Sequence, residues 1–249
     1  MTAERGERNG RGEAPRTTSG LVCGVVVCGG ESRRFGSDKA LAVVGGTTLL
    51  ERTLDVLERR CARVFAATGA APRYAGLLAG RAQVVLDRAA GIGPLAGLEA
   101  ALAAAARVDG ATHLVAVACD LPNLDVATLD RLIERARSTG AHVVLWRDAG
   151  GEHPLLACHR IDVLPAVTAA IERGERRLVA FHGAPLRTHG THAAAARADG
   201  DGALDSHVCV AHVDRESSSA SAHDPAANAN SPQELACASP APRPGASRP

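Results

Sequence analysis

Aromatic residues are nearly missing: one Trp, one Tyr and three Phe make up 2% of the 249-residue chain. The stacking platforms that hold single-stranded nucleic acid are therefore not expected, and the core has to be aliphatic, built from Val, Leu and Ala. Net charge is also small, at +1, which argues against a surface made to coat nucleic acid. No apolar run approaches the ~18 residues of a membrane-spanning helix. Residues 1–19 are polar and charged where a secretory signal needs an apolar stretch, so the expected location is the cytoplasm, with no membrane partner. The seven cysteines, an odd number, stand at Cys23, Cys28, Cys61, Cys119, Cys158, Cys209 and Cys237. They contain no Cys-x-x-Cys and no grouping with histidine at zinc spacing, which leaves reduced thiols as the reading. In apolar, strand-like runs such thiols behave as small buried hydrophobes.

What the chain has in its place is an unbroken, β-branched run at 21–28 that empties into a loop rich in glycine and cations. The run reads as a strand covered on both faces of a parallel sheet. Gly29 and Gly30 follow, and without Cβ atoms they let the backbone turn sharply and bring its N–H groups close to an anion. Arg33, Arg34 and Lys39 add positive charge. Arginine supplies a planar fork for phosphate oxygens, and lysine a compact ammonium. The combination points to a triphosphate. A Walker A loop is excluded because Ser37 and Asp38 separate Gly36 from Lys39, and Ala40 stands where a hydroxyl is needed. The dinucleotide fingerprint is excluded because Gly29, Gly30 and Gly36 have the wrong spacing.

Strand and helix signals alternate through the middle of the chain. Thr48 and Glu51 form a capping-box pattern that starts a helix running to about Arg60. Short strands are expected at 64–68 and 83–86, an alanine-rich helix at about 97–107, and a strand at 113–118. Asp125 reads as the cap of a helix over about 126–137, with Leu129, Leu132, Ile133 and Ala136 on its buried face. Strands at 142–146 and 155–159 and a helix at 161–173 follow. The pattern predicts a single α/β domain over 20–237, with a doubly wound, mostly parallel sheet and helices on both faces. Residues 1–19 and 238–249 are expected to be disordered tails. Residues 183–227, mostly Ala, Gly, Ser, His and Asp with a weak apolar patch at 208–213, are expected to form a long flexible loop.

The spacing Gly29-Gly30-Glu31-Ser32-Arg33-Arg34-Phe35-Gly36-Ser37-Asp38-Lys39 resembles the signature of nucleotidyltransferases, and above all of the molybdenum cofactor guanylyltransferases. Phe35 departs from the methionine usual there. Further matching strings follow in order: Val84-Val85-Leu86-Asp87, Gly93-Pro94-Leu95-Ala96-Gly97, Cys119-Asp120-Leu121-Pro122, His153-Pro154-Leu155, Gly174-Glu175-Arg176-Arg177 and Asn228-Ala229-Asn230-Ser231-Pro232. The resemblance implies a fold like that of the nucleotide-diphospho-sugar transferases. It also implies transfer of a nucleoside monophosphate to the phosphate of a second substrate, with release of pyrophosphate.

On that resemblance Arg34, Lys39 and Asp120 are the catalytic candidates, with Asp120 carrying Mg²⁺ as a hard oxygen ligand. The backbone of Val27, Cys28, Gly29 and Gly30 and the side chain of Asp87 would meet the guanine nucleotide. Gly93, Gly97, Arg177, Asn228 and Asn230 would lie on the acceptor side. A turn or helix-cap role is the structural alternative for Asp120, Asp87, Asn228 and Asn230. The family's asparagine at the end of the second strand is replaced here by Ala67-Thr68-Gly69. The substrates implied are GTP and molybdenum-bound molybdopterin, with transient contact to molybdopterin-synthesis proteins or molybdoenzyme chaperones. Use of CTP and an inactive nucleotide-binding regulator are the alternatives. Gly30, in place of an alanine common in cytidylyltransferases, and Asp38-Lys39 favour GTP.

Overall fold

The computed structural model describes residues 20–29, 38–88, 91–186 and 206–215. Strand β1 (Leu21–Val27) leads to a 3₁₀ turn, Lys39–Leu41, and a small hairpin of β2 (Val43–Val44) and β3 (Thr47–Thr48). Helix α1 (Leu49–Glu58), β4 (Arg63–Ala67), the one-turn α2 (Ala75–Leu78) and β5 (Gln83–Val85) follow. Then come α3 (Pro94–Ala105), β6 (Ala111–Ala118), α4 (Val126–Thr139), β7 (Val143–Asp148) and β8 (Gly151–Arg160). Helix α5 (Leu164–Glu172), β9 (Pro185–Leu186), β10 (Ser206–His207) and β11 (Val210–Asp214) complete the order.

Among the described residues, seven strands form the main sheet in the order β11-β7-β8-β6-β1-β4-β5. Only β8 runs antiparallel to its neighbours; the other pairs are parallel. The doubly wound, mostly parallel sheet expected from the sequence is thus present, and β1 lies in its interior between β6 and β4. Alternate β1 side chains face opposite layers. Val22 and Val26 pack with Leu50, Leu54 and Leu57 of α1 and with Leu129 and Leu132 of α4. Cys23 and Val25 pack with Leu95, Leu98 and Leu102 of α3 and Val167 of α5. Truncating any of these fully buried leucines to alanine costs about 2–5 kcal/mol. At Gly24 an added Cβ would lie 2.8 Å from the Cys61 sulfur and 2.9 Å from Leu57 Cδ2, so glycine sets how closely α1 approaches the sheet.

Local signals act as expected at the helix starts. Thr48 Oγ1 accepts the Glu51 amide at 3.2 Å while the Glu51 carboxylate accepts the Thr48 amide at 2.9 Å, closing the capping box. Asp125 accepts the Thr128 amide at 2.8 Å. Helix α3 begins at Pro94, three residues before the expected start at Gly97, because proline in the first turn has no amide to leave unpaired. The expected helix at 161–173 opens with a 3₁₀ turn, Ile161–Val163, before α5.

The long loop expected over 183–227 is corrected within its described part. Val210–Asp214 adds a parallel edge strand beside β7, and His142 and Val143 donate backbone N–H to Cys209 O at 3.0 and 3.1 Å. Leu186 and Val208 are buried against the α3 and α5 layer. Backbone pairing holds this edge, so it needs little apolar side chain and leaves a weak sequence signal. The expected tails at 1–19 and 238–249 lie outside the described residues.

Candidate functional site

The carboxyl ends of the parallel strands converge on one edge of the sheet, where open α/β sheets hold ligands. Asp120 follows β6, and the Cys119 amide donates to Val27 O at 3.3 Å, which fixes that turn against the end of β1. From the other side the 3₁₀ turn presents Lys39, whose Nζ lies 3.0 Å from Asp120 Oδ2 across 81 residues of sequence. Their side chains are 20% and 19% exposed. The pair is sheltered enough for its charges to act strongly and open enough to be reached by a ligand. Arg52 of α1 donates to Pro122 O at 3.1 Å, tying α1 to the turn that carries Asp120.

Two of the glycines expected on the ligand side, Gly29 and Gly97, have structural work that only the fold reveals. A Cβ on Gly29 would lie 2.4 Å from the Gly69 nitrogen and 2.7 Å from the Thr68 carbonyl carbon. Gly29 therefore lets the loop after β4 cross directly over the end of β1. On α3, a Cβ on Gly97 would meet Ala67 Cβ at 3.0 Å, Asp87 Oδ1 at 3.7 Å and Val27 Cγ1 at 3.8 Å. Gly97, expected on the acceptor side, thus shares a wall with Asp87 and Val27, the residues expected to meet the nucleotide. The Asp87 amide donates to Gly69 O at 2.9 Å, and burial raises its carboxyl above the ordinary range.

Cys28 follows β1 directly. Its amide is committed to Ala67 O at 2.9 Å and its thiol also points to that oxygen, because β1 extends its ladder by one residue there. Gly93, at φ 83°, lies with the place for a Cβ 3.9 Å from Arg176 O, which brings the segment carrying Arg177 to the start of α3. Gly30, Arg34, Asn228 and Asn230 lie outside the described residues. His153 pairs with Asp148 at 2.7 Å at the β7–β8 turn.

Two side chains unnoticed in the sequence, Arg73 and Tyr74, complete this edge. Asp38, immediately before Lys39, accepts the Tyr74 hydroxyl at 2.7 Å and also the Arg73 guanidinium. The signal available was rarity: Tyr74 is the one tyrosine in a chain almost without aromatics.

The residues suit a magnesium-bound polyphosphate. Asp120 is a hard oxygen donor, and the described residues contain no group of three or more His, Cys, Asp or Glu that could hold a metal by themselves. Magnesium bound to nucleotide needs only one or two carboxylates, the remaining places being filled by phosphate oxygens and water.

A family model described as the MobA-like NTP transferase domain matches residues 24–200. A Mycobacterium tuberculosis protein described as a probable molybdenum cofactor guanylyltransferase is 41% identical over 162 residues, which cover 64% of this chain and 78% of that protein. A Mycobacterium marinum protein of the same description is 38% identical over 162 residues, with the same coverage of 64% and 78%. Among solved structures, molybdopterin-guanine dinucleotide biosynthesis protein A of Archaeoglobus fulgidus aligns with TM-score 0.64 at 21% identity, covering 87% of this chain and 96% of that one. The 2-C-methyl-D-erythritol 4-phosphate cytidylyltransferase of Thermus thermophilus aligns with TM-score 0.51 at 17% identity, covering 85% and 94%. At these identities the two structures speak for the fold.

Proposed function

The chain belongs to the family of MobA-like NTP transferase domains and is a nucleotidyltransferase; from that premise we propose that it transfers GMP from magnesium-GTP to the terminal phosphate of molybdenum-bound molybdopterin, in molybdenum cofactor biosynthesis. The observation that carries the proposal is the Lys39–Asp120 pair, 3.0 Å apart at the end of β1. The mycobacterial relatives, described as probable guanylyltransferases, support guanine as the base.

The acceptor is a phosphate monoester, whose second ionisation falls near pH ~6, so it arrives as a nucleophile and needs no activating serine or histidine. An acceptor oxygen forms a bond to the α-phosphorus of GTP while the bond to the β-phosphate oxygen breaks, and pyrophosphate leaves with the electron pair. The protein's task is alignment and charge neutralisation. Lys39 places a cation on the polyphosphate as negative charge builds on the leaving group. Arg34 is proposed to share that task. Asp120 would hold Mg²⁺, which supplies charge neutralisation to the phosphates. Asp87 and the backbone of Val27, Cys28, Gly29 and Gly30 are proposed to meet the nucleotide, and Gly97, beside Asp87, to border the acceptor. Gly93 and Arg177, with Asn228 and Asn230, are proposed for the acceptor. The proposed setting is the cytoplasm, where the thiols stay reduced.

Incubating the full chain with magnesium, molybdenum-loaded molybdopterin and labelled GTP or CTP tests the reading. Incorporation of GMP with equal release of pyrophosphate is expected. Preference for CMP overturns the base assignment, and no incorporation from either overturns the reaction.

A further inference from the structure

Lys39 has two carboxylates at hand, Asp38 beside it in the chain and Asp120 across the site, and the structure engages it with the second. Asp38 is occupied at both oxygens. Oδ1 accepts the Ala40 amide at 3.1 Å and so caps the 3₁₀ turn that carries Lys39. Oδ2 accepts from the Tyr74 hydroxyl at 2.7 Å and from the Arg73 guanidinium. The two donors act as a unit, since the Arg73 guanidinium carbon lies 4.8 Å from the centroid of the Tyr74 ring.

The same phenol oxygen is 3.3 Å from Cys28 O at the end of β1. Its one proton goes to the nearer, charged carboxylate, with the Cys28 carbonyl as the secondary acceptor. One side chain therefore bridges the end of β1 and the residue that precedes Lys39. Tyr74 adopts φ 60°, ψ 30°, the only left-handed non-glycine conformation among the described residues. That geometry is unfavourable for a bulky residue and is maintained here with both side chains of the Arg73-Tyr74 step anchored on Asp38.

We infer that Tyr74, together with Arg73, is a positioning residue for Lys39: by occupying Asp38 and fixing it to the end of β1, they direct the Lys39 ammonium to Asp120 and to the polyphosphate bound there. The inference deepens the proposed function and rests on it. Burial first, and the neighbouring Asp38 second, push the Tyr74 phenol above its ordinary value, as expected of a hydroxyl held against a carboxylate.

Tyr74→Phe removes only the hydroxyl and leaves the ring under Arg73. With an unchanged melting temperature, the Kd for magnesium-GTP from calorimetry is expected to rise about tenfold and the KM of the acceptor to stay level. Placed in an Asp38→Asn background, Tyr74→Phe is expected to add nothing further, because Tyr74 acts through Asp38. An unchanged Kd, or the same rise in both backgrounds, overturns the inference. Because Tyr74 is the chain's single tyrosine, ultraviolet titration of the full protein reads it alone. Its phenolate is expected to form above pH ~10 and at lower pH in Asp38→Asn; a midpoint unmoved by that change also overturns the inference. Should the wild-type chain bind magnesium-GTP without transferring GMP, the proposed function fails and the binding ratio still judges Tyr74. Should Tyr74→Phe bind and transfer like wild type, the positioning role fails and the proposed function stands. Should the wild type bind no polyphosphate, both fail.

Discussion

Gly29 passes so close to Gly69 that a Cβ on the first would stand 2.4 Å from the backbone nitrogen of the second. Backbone cannot swing aside as a long side chain can, so Gly29→Ala has to part the end of β1 from the loop after β4. A loss of about 1–3 kcal/mol is expected, together with loss of nucleotide binding. Urea unfolding checks the first and calorimetry the second; a stable variant that binds normally contradicts the close approach.

Removing either member of the Lys39–Asp120 pair separates chemistry from folding. The pair is largely sheltered, so Lys39→Ala or Asp120→Asn is expected to cost about 1–3 kcal/mol of stability, as losing a hydrogen bond to a charged group does. Turnover at saturating GTP is expected to fall about 100- to 1000-fold, as when a preorganised charge is taken from a transition state. Pyrophosphate release measured beside a melting curve distinguishes the two effects. Asp120→Asn is also expected to require more magnesium for its remaining rate.

Asp87 opposes folding near neutral pH, because burial disfavours its charged form. Burial raises its carboxyl above the ordinary range, so the folded state favours the protonated form more than the unfolded chain does. This favourable contribution is complete below the unfolded pKa of ~3.9 and is lost as pH rises through the higher folded value. Asp87→Asn is therefore expected to raise the urea midpoint near neutral pH, with the gain fading below the carboxylate range, and to weaken nucleotide binding. A midpoint gain of equal size at both pH values contradicts the assignment to ionisation.

His159 is buried in β8, and neither ring nitrogen has a partner among the described residues. Burial, with a smaller effect from His182, holds its pKa down to about 3. The unfolded chain takes up this proton near pH ~6.5 while the folded chain does not, so stability is present above that value and falls as pH drops from there towards about 3. His159→Leu is expected to flatten this dependence. Urea midpoints of the two proteins compared between about pH 7 and pH 5 check it, and parallel curves contradict it.

The legible parts of the fold rest on near neighbours in sequence. Thr48 and Glu51 cap α1 because their atoms are three residues apart, and Asp125 does the same for Thr128. The apolar runs of β1 and β6 are strands buried on both faces, which their unbroken Val, Leu and Ala content announces. Less legible was β11, whose residues are only partly apolar and whose hydrogen bonds go to β7, some 67 residues earlier. Side-chain pattern records burial and is silent on which backbone a strand will pair with.

By itself, the sequence determined the alternation of strand and helix, the glycine and cation content of the turn after β1, and the family to which the order of short motifs belongs. All of these depend on spacing along the chain. Tertiary structure alone decided that Lys39 meets Asp120, that Gly97 stands beside Asp87, and that Tyr74 and Arg73 occupy Asp38. These contacts join residues from 10 to 81 positions apart. Their geometry follows from how the parallel strands end at one edge, which is set when the helices pack against both faces of the sheet.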